Sequence, residues 1–140
     1  MSALGSVPYA AHTGVEVVEV KPGEARARLD QRQEVSNHIG TMHAGAMFTL
    51  GEAASGGAMV GTFADRLGQI RPVASEASIR YTRLARGLLT ATARCAEPPE
   101  ALRARLDADG KVAFDVAVDI QDAEGQSVAG MTVAWHVRRT

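Results

Sequence analysis

Residues 36–59 are the stretch of the sequence whose side chains are best suited to chemistry. They read SNHIGTMHAGAMFTLGEAASGGAM, and Glu52 is the only side chain among them that is fully charged at neutral pH. The nearest cations along the chain are Arg32 and Arg66, so no local partner offsets the cost of burying this carboxylate. Burial raises the pKa of a carboxyl group, and a carboxylate tuned in this way serves as a general base or a nucleophile. Glu52 is therefore a candidate catalytic residue, although an ion pair with a distant arginine would explain it equally well.

The residues that precede this carboxylate indicate a helix N-terminus suited to an oxyanion. We expect a helix over residues 42 to about 63, with Thr41 as its N-cap. The amides of residues 42–45 then have no intrahelical acceptor and lie at the positive end of the helix dipole. Because Ala44 and Gly45 are small, a carbonyl group can approach these amides, as stabilisation of a tetrahedral intermediate requires.

Asn37, Gly40 and His43 lie in the same turn into the helix. Asn37 is suited to orient a water molecule or a substrate carbonyl. Taken singly, an Asx-turn explains Asn37 better than catalysis does, and a structural role explains His43 better. Their joint placement before Glu52 nevertheless favours a catalytic site.

Two other kinds of site find no support in the sequence. Ser55 and Ser75 have no neighbouring histidine and acid in a recognised nucleophile motif, so we expect no serine-hydrolase triad. The histidines show no ligand spacing with cysteine or with carboxylates. They are His12, His38, His43 and His136. We therefore predict no metal site and no cofactor.

Three arginines lie close together in the segment RYTRLARG: Arg80, Arg83 and Arg86. Guanidinium groups bind phosphate well, which makes Arg80 and Arg83 candidate contacts for a nucleotide-bearing substrate. A solvated face without a ligand is the simpler interpretation of the same spacing.

The composition argues against several classes of partner. Lysine and arginine total 15 against 16 acidic residues, so the chain offers no electrostatic footprint for a nucleic acid or an anionic membrane. The single Cys95 cannot form an internal disulfide, and the first residues lack the features of a secretory leader. No apolar run approaches the roughly 20 residues that span a bilayer. We expect one cytoplasmic domain over residues 1–140.

Hydrophobic periodicity indicates the elements that must position the candidate residues. The predicted strands fall within residues 14–31 (two, around the Pro22-Gly23 turn), 73–82, 88–95 and 101–138 (three, with DADG and DAEG as hairpin loops). Beyond residue 70 this pattern predicts an antiparallel meander, with Asp107 and Asp109 in a turn. Residues 42–63 are the only long helix candidate and are small or apolar nearly all round, which predicts a buried helix. The first dozen residues fit either a short helix or a loose arm.

The strand at residues 112–120 shows how helix and sheet should meet. Its alternate residues from Val112 to Ile120 are apolar, whereas Asp115 and Asp119 lie on the opposite face. One face of the sheet is therefore expected to be wet and the other covered by the helix.

Two segments carry a resemblance to a known family. NHIGTMHAGAMFTLGEAASG, followed by VASEASIRYTRLARGLLTATA, resembles the hotdog-fold thioesterases of the phenylacetate-pathway and thioesterase-superfamily-member-2 type and the uncharacterised hotdog domains related to them. The resemblance covers roughly residues 13 to 138. It implies an α+β hotdog fold, in which an antiparallel sheet of about five to six strands wraps round one long central helix.

The same resemblance implies an acyl-CoA thioesterase without a cofactor. The family's acid on the central helix, which activates water or attacks the thioester, falls on Glu52, its asparagine on Asn37 and its histidine on His43. Its oxyanion-hole amide, often that of a glycine, falls here on Ala44. A polar residue on the following strand of some relatives falls near Ala74, with Ser75 beside it.

Two rival functions remain open beside this interpretation. The rivals are a hotdog dehydratase or hydratase and a non-catalytic module that binds acyl-CoA. The substrate is expected to be an acyl thioester of CoA or of a carrier protein.

Glu52 and Ala44 lie about 12 Å apart along one helix at 1.5 Å per residue. We therefore expect a homodimer, or a dimer of dimers, whose active sites each draw on two chains.

Overall fold

One six-stranded sheet organises the part of the chain that the structure, a computed structural model, describes, which is residues 7–140. The elements in chain order are α1 (Pro8–Thr13), β1 (Glu16–Lys21), β2 (Glu24–Leu29), α2 (Ala44–Thr62), β3 (Ile70–Tyr81), β4 (Leu89–Cys95), α3 (Pro99–Asp109), β5 (Lys111–Gln121) and β6 (Ser127–Arg139). All neighbouring strands pair antiparallel, in the order β1-β2-β4-β5-β6-β3. The expected α+β class and the strand number are confirmed.

Helix α2 covers one face of the sheet and is buried along most of its length, as its composition predicts. Its glycines allow the strands to approach closely. A methyl group on Gly51 would meet the Met131 sulfur, and one on Gly61 would overlap the backbone of Lys21 in β1. Each glycine costs about 1 kcal/mol of helix propensity. At these two positions, however, a side chain would push the helix away from the sheet.

Strand β5 confirms the two-faced sheet. Its residues alternate between buried and exposed, with Val112, Phe114 and Val116 packed in the core and Asp115 in solvent. No helix within residues 7–140 combines the length and hydropathy needed to span a membrane.

The sequence interpretation of residues 99–109 was wrong, because this segment is helix α3 and not a strand. Leu102 and Leu106 lie four residues apart and are both buried, as expected for one side of a helix. Gly110 ends the helix at a φ of 76°, so the DADG segment is a helix terminus and not a hairpin loop. Asp107 likewise lies in the helix, where its carboxylate accepts a hydrogen bond from Arg66.

The predicted meander is confirmed only for β4, β5 and β6. Strand β3 does not pair with β4, its successor in the chain, but with β6 at the far side of the sheet. It is therefore an edge strand. Its register with β6 shifts between Ala74 and Glu76, so Ser75 occupies a bulge.

Helix α1 resolves part of the question about the first dozen residues. It spans Pro8–Thr13, and residues 1–6 lie outside the described part of the chain. The guanidinium of Arg32 donates to the carbonyl oxygens of Thr13 at 2.6 Å and His12 at 3.0 Å. These bonds fix the C-terminal end of α1 relative to the loop after β2.

Candidate active site

Glu52 lies in the middle of α2 and is half-buried. None of the ion pairs within residues 7–140 includes it. Arg32 pairs instead with Glu34, and Arg66 pairs with its neighbour Asp65 and with Asp107 of α3. Burial raises the pKa of the Glu52 carboxyl group above its ordinary value. The carboxylate is thus unpaired within the described residues, and the ion pair with a distant arginine that the sequence also allowed is not formed there.

Two hollows meet at Glu52. The first, which we name the inner cavity, has a volume of about 310 Å³ and lies between α1, β1 and α2, with Trp135 in its wall. The second, the outer groove, is more open and lies between α2 and β3. Its walls include Phe48, Ala74 and Ser75. A ligand that passes over Glu52 can therefore occupy both hollows.

Asn37 forms an Asx-turn, the structural role that the sequence also allowed. Its Oδ1 accepts hydrogen bonds from the amides of Ile39 and Thr41, both at 3.0 Å. Its Nδ2 donates to the Thr41 hydroxyl at 2.6 Å. The left-handed turn that follows uses Gly40, at a φ of 81°. The hydrogen bonds of Asn37 therefore stabilise the loop before α2.

The N-cap of α2 is His43, and the prediction of Thr41 in that role is wrong. The His43 Nδ1 accepts a hydrogen bond from the Gly45 amide at 2.8 Å, whereas the Thr41 side chain is buried and bonded to Asn37. A methyl group on Gly45 would press on the imidazole at 3.0 Å, so the glycine leaves room for this cap. Because Nδ1 accepts, the neutral ring carries its proton on Nε2.

The sequence predicted four free amides at this terminus, and the structure leaves fewer. The Met42 amide donates to the Ala85 carbonyl and the His43 amide to the Val35 carbonyl, each at 2.8 Å. The Gly45 amide donates to the His43 ring. Within residues 7–140 the Ala44 amide has no acceptor, and Ala44 is exposed. Ala44 therefore presents the donor best suited to an oxyanion.

Tyr81, which the sequence did not single out, holds the first turn of α2 against β3. Its hydroxyl donates to the Ala44 carbonyl oxygen at 2.9 Å, and burial raises the pKa of its phenol. The two residues are 37 positions apart in the chain, so no local pattern could have indicated this contact.

Glu52 and Ala44 are not brought together within one chain. Both lie on the continuous helix α2, eight residues apart, which corresponds to about 12 Å. The candidate base therefore lies in the middle of α2, whereas the candidate oxyanion donor lies at its N-terminus and borders neither hollow.

The remaining candidates, Ser75, Arg80 and Arg83, do not lie together. Ser75 lies in the outer groove with Glu52, and its hydroxyl donates to the Ala134 carbonyl at 3.2 Å. Arg80 borders neither hollow; it lies beside a separate shallow depression between β3 and β6. Arg83 follows β3, and neither arginine forms an ion pair within the described residues.

The Ser55 hydroxyl is held in structural hydrogen bonds. It donates to the Glu52 carbonyl at 2.7 Å and accepts from the Trp135 indole at 3.0 Å. Among residues 7–140, no group of three histidine, cysteine or acidic side chains is placed to hold a metal ion.

Solved structures share this arrangement of helix and sheet. Protein PA5026 of Pseudomonas aeruginosa, a protein of unknown function described as a probable thioesterase, superposes with a TM-score of 0.85 at 27% identity over 98% of this chain and 91% of its own. A variant of the thioesterase SAV0944 of Staphylococcus aureus gives 0.74 at 19% identity, covering 94% of this chain and 99% of its own. The Escherichia coli PaaI protein, from the phenylacetic acid degradation operon, gives 0.71 at 21%, covering 91% and 86%.

The fold is the hotdog fold, as the resemblance in the sequence implied. Residues 1–137 match the family described as a domain of unknown function, DUF4442, and the chain belongs to that family. A comparison with curated proteins gave no match.

Proposed function

We propose that this protein hydrolyses an acyl thioester, borne by CoA or by a carrier protein, to a carboxylic acid and a free thiol. The observation that carries the proposal is the unpaired, half-buried carboxylate of Glu52 between the inner cavity and the more open outer groove. Similarity to hotdog proteins described as thioesterases supports the same reaction class.

Glu52 supplies the base or the nucleophile. As a base, its carboxylate takes a proton from water while the water oxygen bonds to the thioester carbon. As a nucleophile, it attacks that carbon itself and forms an anhydride, which water then cleaves. In both routes the carbon–sulfur bond breaks as the tetrahedral intermediate collapses. The departing thiolate takes up the proton held by Glu52 in the base route, or a proton from water in the nucleophile route, and leaves as the free thiol.

The Ala44 amide stabilises the oxyanion of that intermediate. Ala44 is the first helical residue of α2, where the aligned peptide dipoles favour negative charge. Asn37, Gly40 and Thr41 act on it indirectly, because their hydrogen bonds and turn fix the loop that ends at the His43 cap. These three are positioning residues in the proposal.

The outer groove receives the thiol-bearing arm of the substrate. Ser75 borders the groove close to Glu52 and offers a hydroxyl to the arm's amides. Arg80 and Arg83 lie farther along β3 and its following loop. Their charges suit the phosphates at the distal end of a CoA or carrier arm.

Each active site draws on two chains in a homodimer or a dimer of dimers. Glu52 and Ala44 of one chain lie about 12 Å apart along α2, so they cannot both act on the same thioester carbonyl. An antiparallel arrangement of two α2 helices across a two-fold axis places the carboxylate of one chain near the amide of the other. Strand β3 offers an unpaired edge for continuing the sheet across that axis.

Release of free thiol from a panel of acyl-CoAs, followed with a thiol-reactive dye, tests the proposal. A thioesterase releases thiol and carboxylic acid in equal amounts. A dehydratase or hydratase changes the acyl chain without releasing thiol, and a binding module changes nothing. Either of the last two results, over the whole panel and with carrier-bound substrates included, would contradict hydrolysis.

A further inference from the structure

We propose that the inner cavity is the acyl-binding site and that it selects uncharged acyl groups of up to about twelve carbons, by comparison with a cavity of about 150 Å³ that holds one benzene. This inference rests on the proposed function, because it assigns the acyl half of the same substrate. The cavity, of about 310 Å³, has roughly twice the volume that holds benzene.

The lining of the cavity determines the chemistry of its occupant. Ala10, Val15, Ala53 and Gly56 present only carbon from their side chains or no side chain at all. The described residues around it include no lysine or arginine. Its acids are Glu52 and Glu16, of which Glu16 is paired with Arg28. An acyl group with a terminal carboxylate would therefore meet the unpaired Glu52 carboxylate and find no lysine or arginine in the described lining, whereas a hydrocarbon tail is accommodated.

The position of Glu52 gives the substrate its direction. Glu52 borders both the inner cavity and the outer groove. The thiol-bearing arm is polar and attached to a large group, so it needs the open groove that reaches solvent. The apolar acyl group then enters the inner cavity, which is the less open of the two hollows, and the thioester bond lies over the carboxylate between them.

Trp135 makes one wall of the cavity rigid. Its indole Nε1 donates to the buried Ser55 hydroxyl at 3.0 Å, which in turn donates to the Glu52 carbonyl oxygen at 2.7 Å. These two hydrogen bonds connect the Trp135 side of the cavity to the turn of α2 that carries Glu52. Because the indole is fixed in this way, we expect this wall to keep its shape when an acyl group enters, so the volume of the cavity limits the acyl length.

The test compares acyl-CoAs with straight chains from two to sixteen carbons, together with succinyl-CoA, in the wild type and in Ala10→Leu. In the wild type, kcat/KM should rise up to about fourfold per methylene and level off when the cavity is full. Succinyl-CoA should be hydrolysed more slowly than butyryl-CoA, which has the same number of carbons. Leucine adds three carbons to the wall, so Ala10→Leu should move the limit to chains about three carbons shorter.

A matched control separates the cavity from the rest of the surface. Ala104→Leu makes the same change on the exposed side of α3 and should leave the chain-length limit unchanged. If Ala10→Leu does not fold, Ala53→Leu fills the same cavity from α2. A limit that stays in place in the filled variant, or a preference for succinyl-CoA, would overturn the assignment.

Fluorescence tests the cavity without relying on hydrolysis. Trp135 is the only tryptophan of the chain, so its emission reports directly on the cavity. Titration with octyl-CoA thioether, which cannot be hydrolysed, should change the emission saturably in the wild type and far more weakly in Ala10→Leu. Binding without thiol release from octanoyl-CoA would contradict the proposed function alone. Thiol release with no response of Trp135 emission to the thioether would contradict the acyl site alone.

Discussion

At Glu52 the fold retains a carboxylate whose charge is disfavoured by burial, and this has a cost in stability. The pKa of the group is raised in the folded protein above the ordinary value of 4.5. The folded state therefore favours the protonated form, and the stability linked to this group is present below pH 4.5 and lost as pH rises through the raised pKa. Such a residue is retained more readily for chemistry than for folding.

We expect Glu52→Gln to stabilise the protein while removing hydrolysis. Glutamine keeps the shape of the side chain without a charge to desolvate, so its Tm should exceed that of the wild type at pH 8, and the difference should shrink towards pH 4. Loss of the base should lower kcat at least about 100-fold. Thermal melts across this pH range and thiol-release assays measure both effects.

The control for this variant is Glu100→Gln, which alters an exposed acid on α3. It should leave both Tm and kcat close to the wild-type values. A folded Glu52→Gln protein with normal kcat would assign Glu52 a structural role and remove the basis of the mechanism.

Ala44→Pro isolates the oxyanion donor, because proline at this position removes one N–H and little else. Proline is well tolerated at the first position of a helix, and His43 before it already has the φ of −64° and ψ of 137° that a residue preceding proline prefers. We expect kcat to fall about 100- to 1,000-fold with little change in Tm. Ala44→Ser keeps the amide and should retain activity. Full activity in the proline variant would exclude this amide from catalysis.

At the scale of elements, the close contact between α2 and β1 depends on Gly61. A methyl group there would overlap the carbonyl of Lys21, so Gly61→Ala should destabilise the fold by about 1–3 kcal/mol despite the better helix propensity of alanine. Gly68→Ala is the matched control, since nothing lies within 4 Å of its added methyl group. Denaturant unfolding compares the two. Equal midpoints would show that the helix can move away from the strand at no cost.

The elements show what local sequence can and cannot predict. Alternation identified β2, β4, β5 and β6 because each buries one face, and the small apolar stretch identified α2 because it packs against the sheet along its length. Residues 99–109 were misinterpreted because Leu102 and Leu106 satisfy both a strand period of two and a helical spacing of four. Two adjacent prolines at the start and Gly110 at the end were the signals that favoured a helix.

Contacts between distant segments explain what the sequence missed in the site. Glu52 was predictable because its isolation from cations is visible in the chain itself. The pairing of the Met42 amide with Ala85 and of the Tyr81 hydroxyl with Ala44 depends on how β3 and its following loop return to α2. The inner cavity arises from α1 lying across β1 and α2, and no periodicity of a six-residue helix encodes that position.

At the scale of the whole molecule, the proposal requires a second copy of the chain, and mixing inactive variants tests this directly. Glu52→Gln lacks the carboxylate and Ala44→Pro lacks the amide, so each homodimer carries one lesion in every site. After joint denaturation and refolding, half of the dimers should be mixed. In a mixed dimer with shared sites, one site carries both lesions and the other carries neither. Roughly a quarter of the wild-type activity should then return.

The control uses two lesions at the same position. Glu52→Gln mixed with Glu52→Ala cannot form an intact site in any pairing, so it reports the activity that refolding alone produces. If carboxylate and amide act within one chain, the first mixture behaves like this control, because every site then retains a lesion. Sedimentation of the refolded mixture gives the oligomeric state in parallel. A fully active monomer would contradict the shared site as directly as the absence of complementation, since the 12 Å between Glu52 and Ala44 along α2 leaves a single chain no means to place both on one thioester.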